Sequence, residues 1–357
     1  MAEMTSRERL LTAIRCEEPD RVPFLDLVVD EPVALDLLGI PRPAEMIGGE
    51  LGVGEELVFS GQLLGSERYQ ALDLVRNLQM DGLGMYLFLK HGGVQEKTGD
   101  HYMVHGGSIK TRADFNRIRL PDPDDPAIYE PYRQFINEYR STNLGLFCMM
   151  NLGSDPVILG MGFETFATAI YDDRSLVWDM LEMYTDFYAR AVRHICELDF
   201  DFLWFGDDLA FKTAPYVSPR IFRDLILPHF RKVAENITKP WLFHSDGNLM
   251  PILDDLLSLG MNGLHPIEPG AMDLALLKKR YGKNLCLCGH ISVDTLSRGT
   301  PEEVDALVRE SIRIAAPGGG YIAGSSNSIS YYCKAANVRA MQQAILRYGK
   351  YPIALAE

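Results

Sequence analysis

A histidine and an aspartate stand two residues apart in the segment His244-Ser245-Asp246-Gly247-Asn248. If this segment ends a β-strand, residues i and i+2 project to the same side. A histidine nitrogen and a carboxylate oxygen placed there could both reach one zinc ion at roughly 2.0–2.2 Å. The alternative is a hydrogen-bonded core His244 and an Asp246 that caps the next helix. The spacing makes His244 and Asp246 candidate metal ligands, and His244 a candidate catalytic residue.

Three further acids follow short apolar runs and could complete such a site. Asp207 and Asp208 are adjacent, so only one of them can face a given side of an extended chain. That carboxylate could bind metal or substrate or act as a base, whereas the alternative is one helix cap and one solvated acid. Glu268 follows a predicted strand and is either a ligand, a substrate anchor or a surface acid. We predict catalytic roles for Asp208 and Glu268, and substrate binding for Asp207.

Four more polar residues follow predicted strands and are candidates for substrate binding: Asn151, His290, Ser326 and Asn327. His290 could be a general acid or base, or could simply position the next helix. The hydroxyl and amide groups of Ser326 and Asn327 could bind a substrate or an oxyanion, and the alternative is a turn with no role beyond geometry.

Eight short and nearly continuous apolar runs must position these side chains, as expected of strands buried on both faces. The predicted strands are Val22–Val29, Gly82–Leu87, Leu144–Met149, Phe202–Phe205, Trp241–His244, Gly263–Pro266, Leu285–Cys288 and Gly320–Ala323. Amphipathic stretches fit between them, and Thr300-Pro301-Glu302-Glu303 forms a capping box that opens a helix over Pro301–Ala315. This alternation predicts an α/β fold, a (β/α)₈ TIM barrel, whose active site lies at the carboxyl ends of the strands.

Two regions depart from the repeating pattern. Glu31–Gln79 predicts a helical insertion near the N-terminus, and Gln95–Thr111 predicts a β-hairpin with a Gly-Asp turn. We interpret both as decorations of one domain that spans residues 1–357. An open doubly wound sheet is the other architecture considered, but no GxGxxG motif follows a predicted strand.

Composition excludes several classes of protein. The net charge of −14 argues against binding to nucleic acid or to an anionic membrane surface. No apolar stretch reaches the length of about 18 residues that a membrane helix needs, and the polar N-terminus lacks the apolar segment of a secretory signal. We therefore expect a cytoplasmic protein.

Seven segments together resemble the uroporphyrinogen decarboxylase superfamily, and within it the branch of cobalamin-related methyltransferases. They are Thr5–Leu11, Glu18–Pro23, Asp207–Leu209 with Val217–Pro219, Phe243–Asn248, Gly289–Asp294 and Gly318–Tyr321. The resemblance implies a (β/α)₈ barrel with one of two chemistries.

The decarboxylases of this superfamily are metal-free and hold the acidic side chains of a tetrapyrrole with arginines of an N-terminal Arg-Gln-Ala-Gly-Arg motif. This chain lacks that motif, which disfavours decarboxylation. The methyltransferases hold zinc with a His-x-Cys pair and a distant cysteine, and a separate corrinoid protein carries the methyl group. Here His244 keeps the histidine position, Asp246 replaces the cysteine, and the distant position falls in the turn Ser325–Asn327.

A site of histidine and carboxylate is harder than one with thiolates, so it favours polarisation of a methoxy group over activation of a thiol. The resemblance thus implies a zinc-dependent methyltransferase of the O-demethylase type that moves a methyl group from a small methoxylated or methylated compound to a corrinoid on a partner protein. Asp208 or Glu268 would supply the third ligand or the acid that protonates the leaving group. A metal-free carboxy-lyase and a non-catalytic tetrapyrrole- or corrinoid-binding protein are the alternatives, and a homodimer is left open.

Overall fold

A computed structural model describes residues 3–43, 58–98 and 101–354. Its strands are β1 (Val58–Gln62), β2 (Gly82–Leu89), β3 (Gly93–Thr98), β4 (His101–Gly107), β5 (Gly145–Met150), β6 (Phe202–Gly206), β7 (Trp241–His244), β8 (Gly263–His265), β9 (Cys286–Cys288) and β10 (Tyr321–Ile322). The helices run over Ser6–Ile14, Glu31–Leu38, Ala71–Leu78, Arg112–Phe115, Glu130–Tyr139, Asp155–Met161, Phe163–Asp172, Arg174–Glu197, Pro219–Ile221, Leu227–Ala234, Leu253–Leu257, Leu274–Tyr281, Val293–Arg298, Pro301–Ala315 and Ala335–Tyr348. Two short 3₁₀ helices cover Pro126–Tyr129 and Arg140–Thr142, and a π-helical turn covers Phe222–Ile226.

The main sheet confirms the predicted TIM-barrel-like α/β fold. Its strand order is β1-β2-β5-β6-β7-β8-β9-β10, and every neighbouring pair from β2 to β10 is parallel. The strands are buried on both faces because helices cover the outside and large side chains such as Trp204 and Phe147 fill the inside. All the carboxyl ends of these parallel strands therefore lie at one end of the barrel.

The first predicted strand, Val22–Val29, is not a regular strand. It makes isolated parallel bridges from Phe24 to Ala323 and from Val29 to Ile329, and its Phe24 carbonyl accepts a hydrogen bond of 2.8 Å from the N–H of Asp81, just before β2. Two features reduce the number of backbone hydrogen bonds between this segment and its neighbour. Pro23 has no N–H to donate, and the N–H of Ser325 on the neighbouring segment is taken by the Asp26 carboxylate at 3.0 Å. The segment nevertheless closes the ring between β10 and β2.

The predicted start of the helix over Pro301–Ala315 is confirmed. Thr300 and Glu303 form a reciprocal capping box at the start of Pro301–Ala315, the range predicted for that helix. Asp173 accepts a hydrogen bond from Leu176 at the start of the longest helix. Short polar side chains at these positions satisfy N–H groups that a helix leaves unpaired at its start.

Both decorations differ in part from expectation. Strands β3 and β4 pair antiparallel as the predicted hairpin, while the turn residues 99 and 100 lie outside the described residues. The region Glu31–Gln79 contains two helices and also β1, which pairs antiparallel with β2; residues 44–57 lie outside the described part. Within the described ranges, none of the helices combines the length and the apolar composition needed to cross a bilayer.

The buried Asp26 predicts a pH-dependent stability. Burial raises the pKa of this carboxyl group to about 7, and its Oδ2 has no hydrogen-bond partner among the described residues. The folded protein therefore holds a proton that the unfolded chain releases near pH ~4, so the unfolding free energy falls as pH rises between these values. We expect this group to cost about 2–3 kcal/mol between pH 5 and pH 8.

The Asp26→Asn variant should lose this dependence, since an amide keeps the acceptor for Ser325 without a titrating proton. Urea unfolding of both proteins at pH 5 and pH 8 measures the difference. The matched control is Asp294→Asn, whose aspartate side chain is 74% exposed and should leave the pH dependence unchanged. Equal slopes for wild type and Asp26→Asn would contradict the prediction.

Candidate metal centre and substrate cavity

Three predicted site residues converge where β6 and β7 end. Each of Asp208, His244 and Asp246 offers one ligand atom, and these atoms all lie within 4.8 Å of one another. His244 Nε2 lies 3.9 Å from Asp208 Oδ1, which also accepts a hydrogen bond of 3.0 Å from the Asp246 N–H. The parallel register that pairs Gly206 with His244 brings the two strand ends to the same height. The arrangement therefore joins one nitrogen and two carboxylates from two neighbouring strand ends.

Only one of the two oxygens of the Asp246 carboxylate has a hydrogen-bond partner among the described residues. Its Oδ2 accepts a hydrogen bond from Asn327 Nδ2, whereas its buried Oδ1 has no partner among the described residues. Burial raises the pKa of Asp246, and the nearby Asp208 and Glu268 carboxylates act in the same direction, while His244 and Asn327 oppose them. A buried and unpartnered carboxylate oxygen is costly unless a cation or a proton satisfies it. The donor set of one imidazole and two carboxylates fits zinc with an open coordination position.

Gly247 makes the tight turn after Asp246 possible. Its φ is +85°, and a Cβ atom at this position would lie 2.5 Å from the Ala210 carbonyl oxygen. Its N–H donates a hydrogen bond of 3.0 Å to Glu268 Oε2, and Glu268 Oε1 lies 3.1 Å from Lys212 Nζ. Glu268 therefore supports the turn that carries Asp246, and it stands outside the group of three ligand atoms.

The adjacent acids Asp207 and Asp208 have opposite surroundings. The Asp207 side chain is fully buried and accepts hydrogen bonds from four backbone N–H groups and one hydroxyl, those of Leu152, Gly153, Ser154, Asp155 and the Ser154 side chain. The Asp208 side chain is 42% exposed and belongs to the group of three ligand residues. Asp207 thus anchors the segment that follows β5, and its role in substrate binding stays a prediction.

Asp155 is a site residue that the sequence analysis missed. Its Oδ1 accepts a hydrogen bond of 2.8 Å from the Asp208 N–H, and it lines the cavity beside His244. Burial, followed by the neighbouring Asp207 and Asp208 carboxylates, raises the pKa of Asp155 well above its usual range. The signal was present in the sequence, since Asp155 lies four residues beyond Asn151, where the helix after β5 begins.

A cavity of about 250 Å³ opens beside this group. Its lining combines apolar and polar side chains and consists of Tyr86, Phe88, Leu89, His91, Met149, Asn151, Asp155, Pro156, Leu159, Gly206, Asp208 and His244. The rings of Tyr86 and Phe88 stack with centroids 5.4 Å apart. The volume suits a small molecule that places an apolar part against the rings and a reacting part near His244.

The uroporphyrinogen decarboxylase (URO-D) family matches residues 98–348, more than half of the chain. The chain belongs to the URO-D family. The matched span includes β5 to β10 and every candidate site residue, whereas the cavity residues Tyr86, Phe88 and Leu89 of β2 precede it.

Two proteins to which this chain is similar are methyltransferases. The methylated-thiol–coenzyme M methyltransferase of Methanosarcina mazei is 23% identical over 213 residues, which cover 58% of this chain and 56% of the relative. The chain thus matches little more than half the length of this relative. The solved structure of a methyltransferase from Methanosarcina mazei superposes with a TM-score of 0.69 at 18% identity and covers 97% of this chain and 99% of that one. The superposition shows a shared fold.

The predicted substrate-binding residues Asn151, Ser326 and Asn327 do not all line the same pocket. Asn151 lines the cavity, but its amide is already bound to the Gly206 carbonyl and the Tyr188 hydroxyl. Ser326 and Asn327 line a separate pocket with Asp246 and Glu268.

His290 lies apart from the metal-ligand group. Its Nδ1 lies 2.9 Å from the Ile267 carbonyl oxygen, and the residue lines another pocket with Pro269 and Met272. Burial lowers the pKa of this imidazole. These contacts lie outside the metal-ligand group, and the role of His290 in substrate binding stays a prediction.

Proposed function

We propose that this URO-D family member is a zinc-dependent methyltransferase that moves a methyl group from a small methoxylated or methylated compound to a corrinoid on a partner protein. The observation that carries the proposal is the group Asp208–His244–Asp246, in which Asp246 Oδ1 is buried without a partner among the described residues and Asp208 and His244 line a partly apolar cavity. The two methyltransferase relatives support the reaction class.

In this proposal His244, Asp246 and Asp208 hold the zinc ion. When bound, zinc would supply a Lewis acid that polarises the heteroatom attached to the methyl group. Carboxylate ligands in place of thiolates suit a hard oxygen donor, which favours a methoxylated substrate. The catalytic role predicted for Glu268 is replaced here by a positioning role, because its oxygens already contact Gly247 N and Lys212.

The cavity walls bind and orient the substrate. Tyr86, Phe88 and Leu159 provide the apolar surface that excludes water from the methyl group. The substrate-binding roles of Ser326 and Asn327 remain predictions. Asn327 also positions the Asp246 carboxylate through its amide.

The decarboxylase alternative needs basic groups for an acidic substrate. Among the described residues that line the cavity, none is an arginine or a lysine. Arg9 and Arg21 are both bound to Asp81, at the opposite end of the barrel from the cavity. An acidic tetrapyrrole would meet the carboxylates of Asp155 and Asp208 instead, which disfavours this reaction.

Elemental analysis of the purified protein tests the proposal. We expect about one zinc per chain in the wild type and none in His244→Ala, together with loss of methyl transfer from methoxylated donors to reduced corrinoid, because three protein ligands are the usual minimum for a catalytic zinc. The matched control His194→Ala removes a histidine bound to Asp124 on the surface and should keep the metal. A wild type that binds no zinc when zinc is offered would refute the proposal and favour the metal-free lyase or the binding protein.

A further inference from the structure

A second histidine lies directly behind the proposed ligand His244. The last residues of β7 and β8 pair in register, which places His265 beside His244. Their Nδ1 atoms are 2.8 Å apart and their ring centroids 5.0 Å apart. His265 is 1% exposed, and the edge-on ring of Trp204 at 5.2 Å fixes its orientation.

The short contact between the two Nδ1 atoms has room for one proton. Two N–H groups would meet head-on at this distance, and two bare nitrogens would oppose their lone pairs. Because a neutral imidazole has one donor and one acceptor nitrogen, one ring donates through Nδ1 and the other accepts. The direction of this hydrogen bond decides which nitrogen of His244 is left with a free lone pair.

We propose that His265 is a positioning residue that accepts the Nδ1–H of His244 and so leaves the lone pair of His244 Nε2 free to bind metal beside Asp208 and Asp246. The inference rests on the proposed function, since it explains how that site is held. Metal-bound histidines generally donate their second N–H to a partner that fixes the ring and its tautomer.

Two further observations favour this direction. The Nε2 atom of His244 faces Asp208 Oδ1 at 3.9 Å, so it is the nitrogen on the side of the ligand group and can bind a cation only when the proton is on Nδ1. The partner is also an uncharged ring, so it orders His244 without adding a negative charge to a site that already contains Asp155, Asp208 and Asp246. A carboxylate in its place would add to that repulsion.

Zinc affinity measured by competition with a chromogenic chelator tests the role. His265→Phe keeps a ring of similar size but removes the acceptor, and we expect zinc to bind 10–100-fold more weakly, the usual effect of losing such a partner. His265→Asn places its carboxamide oxygen near the position of Nδ1, and we expect it to restore affinity to within a few-fold of the wild type. A merely structural role would not produce this rescue.

The tautomer of His244 gives a second readout that needs no variant. In the zinc-loaded wild type, long-range ¹H–¹⁵N spectra should show the proton of His244 on Nδ1. A proton on Nε2, or equal zinc affinity of His265→Phe and the wild type while His244→Ala loses zinc, would overturn this inference and leave the proposed function standing. A wild type without zinc affinity would instead refute the proposed function, and this inference with it.

Discussion

Replacing Asp207 by alanine is expected to lower the free energy of unfolding by about 3–5 kcal/mol. The fully buried carboxylate of Asp207 accepts hydrogen bonds from the four backbone N–H groups of residues 152–155 and from the Ser154 hydroxyl. Alanine would leave these donors without an acceptor in a dry environment, and each buried unsatisfied group costs about 1–3 kcal/mol. Part of the total is recovered as the loop relaxes toward water.

The neighbouring Asp208 provides a matched comparison, because Asp208→Ala removes the same chemical group one residue away. Its side chain is 42% exposed and accepts one hydrogen bond, from the Asp246 N–H, so we expect a stability loss of about 1 kcal/mol or less. Asp208→Ala should lose zinc, whereas Asp207→Ala should lose stability. Urea unfolding and zinc content of the two variants measure both effects, and equal stabilities would show that the loop does not depend on Asp207.

Most of the barrel strands could be predicted from sequence because their residues are buried on both faces. Such strands are short apolar runs that end in polar residues, and β7 has the predicted bounds Trp241–His244. The segment Val22–Val29 was predicted as a strand by the same apolar signal, but its hydrogen bonding depends on Pro23 and on the Asp26 carboxylate. The pattern of apolar residues does not reveal a side chain that takes a backbone N–H away from the hydrogen bonding of the sheet.

Residues of the candidate site that directly follow a strand could be predicted, because active sites of this fold lie at the carboxyl ends of the strands. His244 and Asp246 stand at one strand end and Asp208 at the next, and the structure brings them together. The sequence showed that only one of Asp207 and Asp208 could face the cavity, but the path of the backbone beyond β6 decides which. His265 was missed because its contact with His244 depends on the register between β7 and β8.

Replacing Asp81 by alanine is expected to lower the free energy of unfolding by about 3–5 kcal/mol, with no loss of zinc. The Asp81 side chain is fully buried and contacts Arg9 Nη1 at 2.6 Å, Arg21 Nη2 at 2.9 Å and the Phe24 N–H at 2.8 Å. Its loss would leave two guanidinium groups short of a partner where the first segment of the barrel meets β2. Breaking a buried ion pair by removing one partner is costly because the remaining charge stays desolvated.

The control Asp36→Ala breaks the ion pair with Arg42, whose side chains are 41% and 45% exposed, and should cost less than about 1 kcal/mol. Urea unfolding gives the stabilities, and elemental analysis of the folded variants gives the zinc content. The result bears on chemistry as well as on folding. If Asp81→Ala is unstable but keeps zinc, then Arg9 and Arg21 serve to close the barrel at its amino end. If Asp81→Ala is as stable as Asp36→Ala, the ion pairs of Arg9 and Arg21 do not stabilise the fold. That result would favour a role of these arginines in binding an acidic ligand.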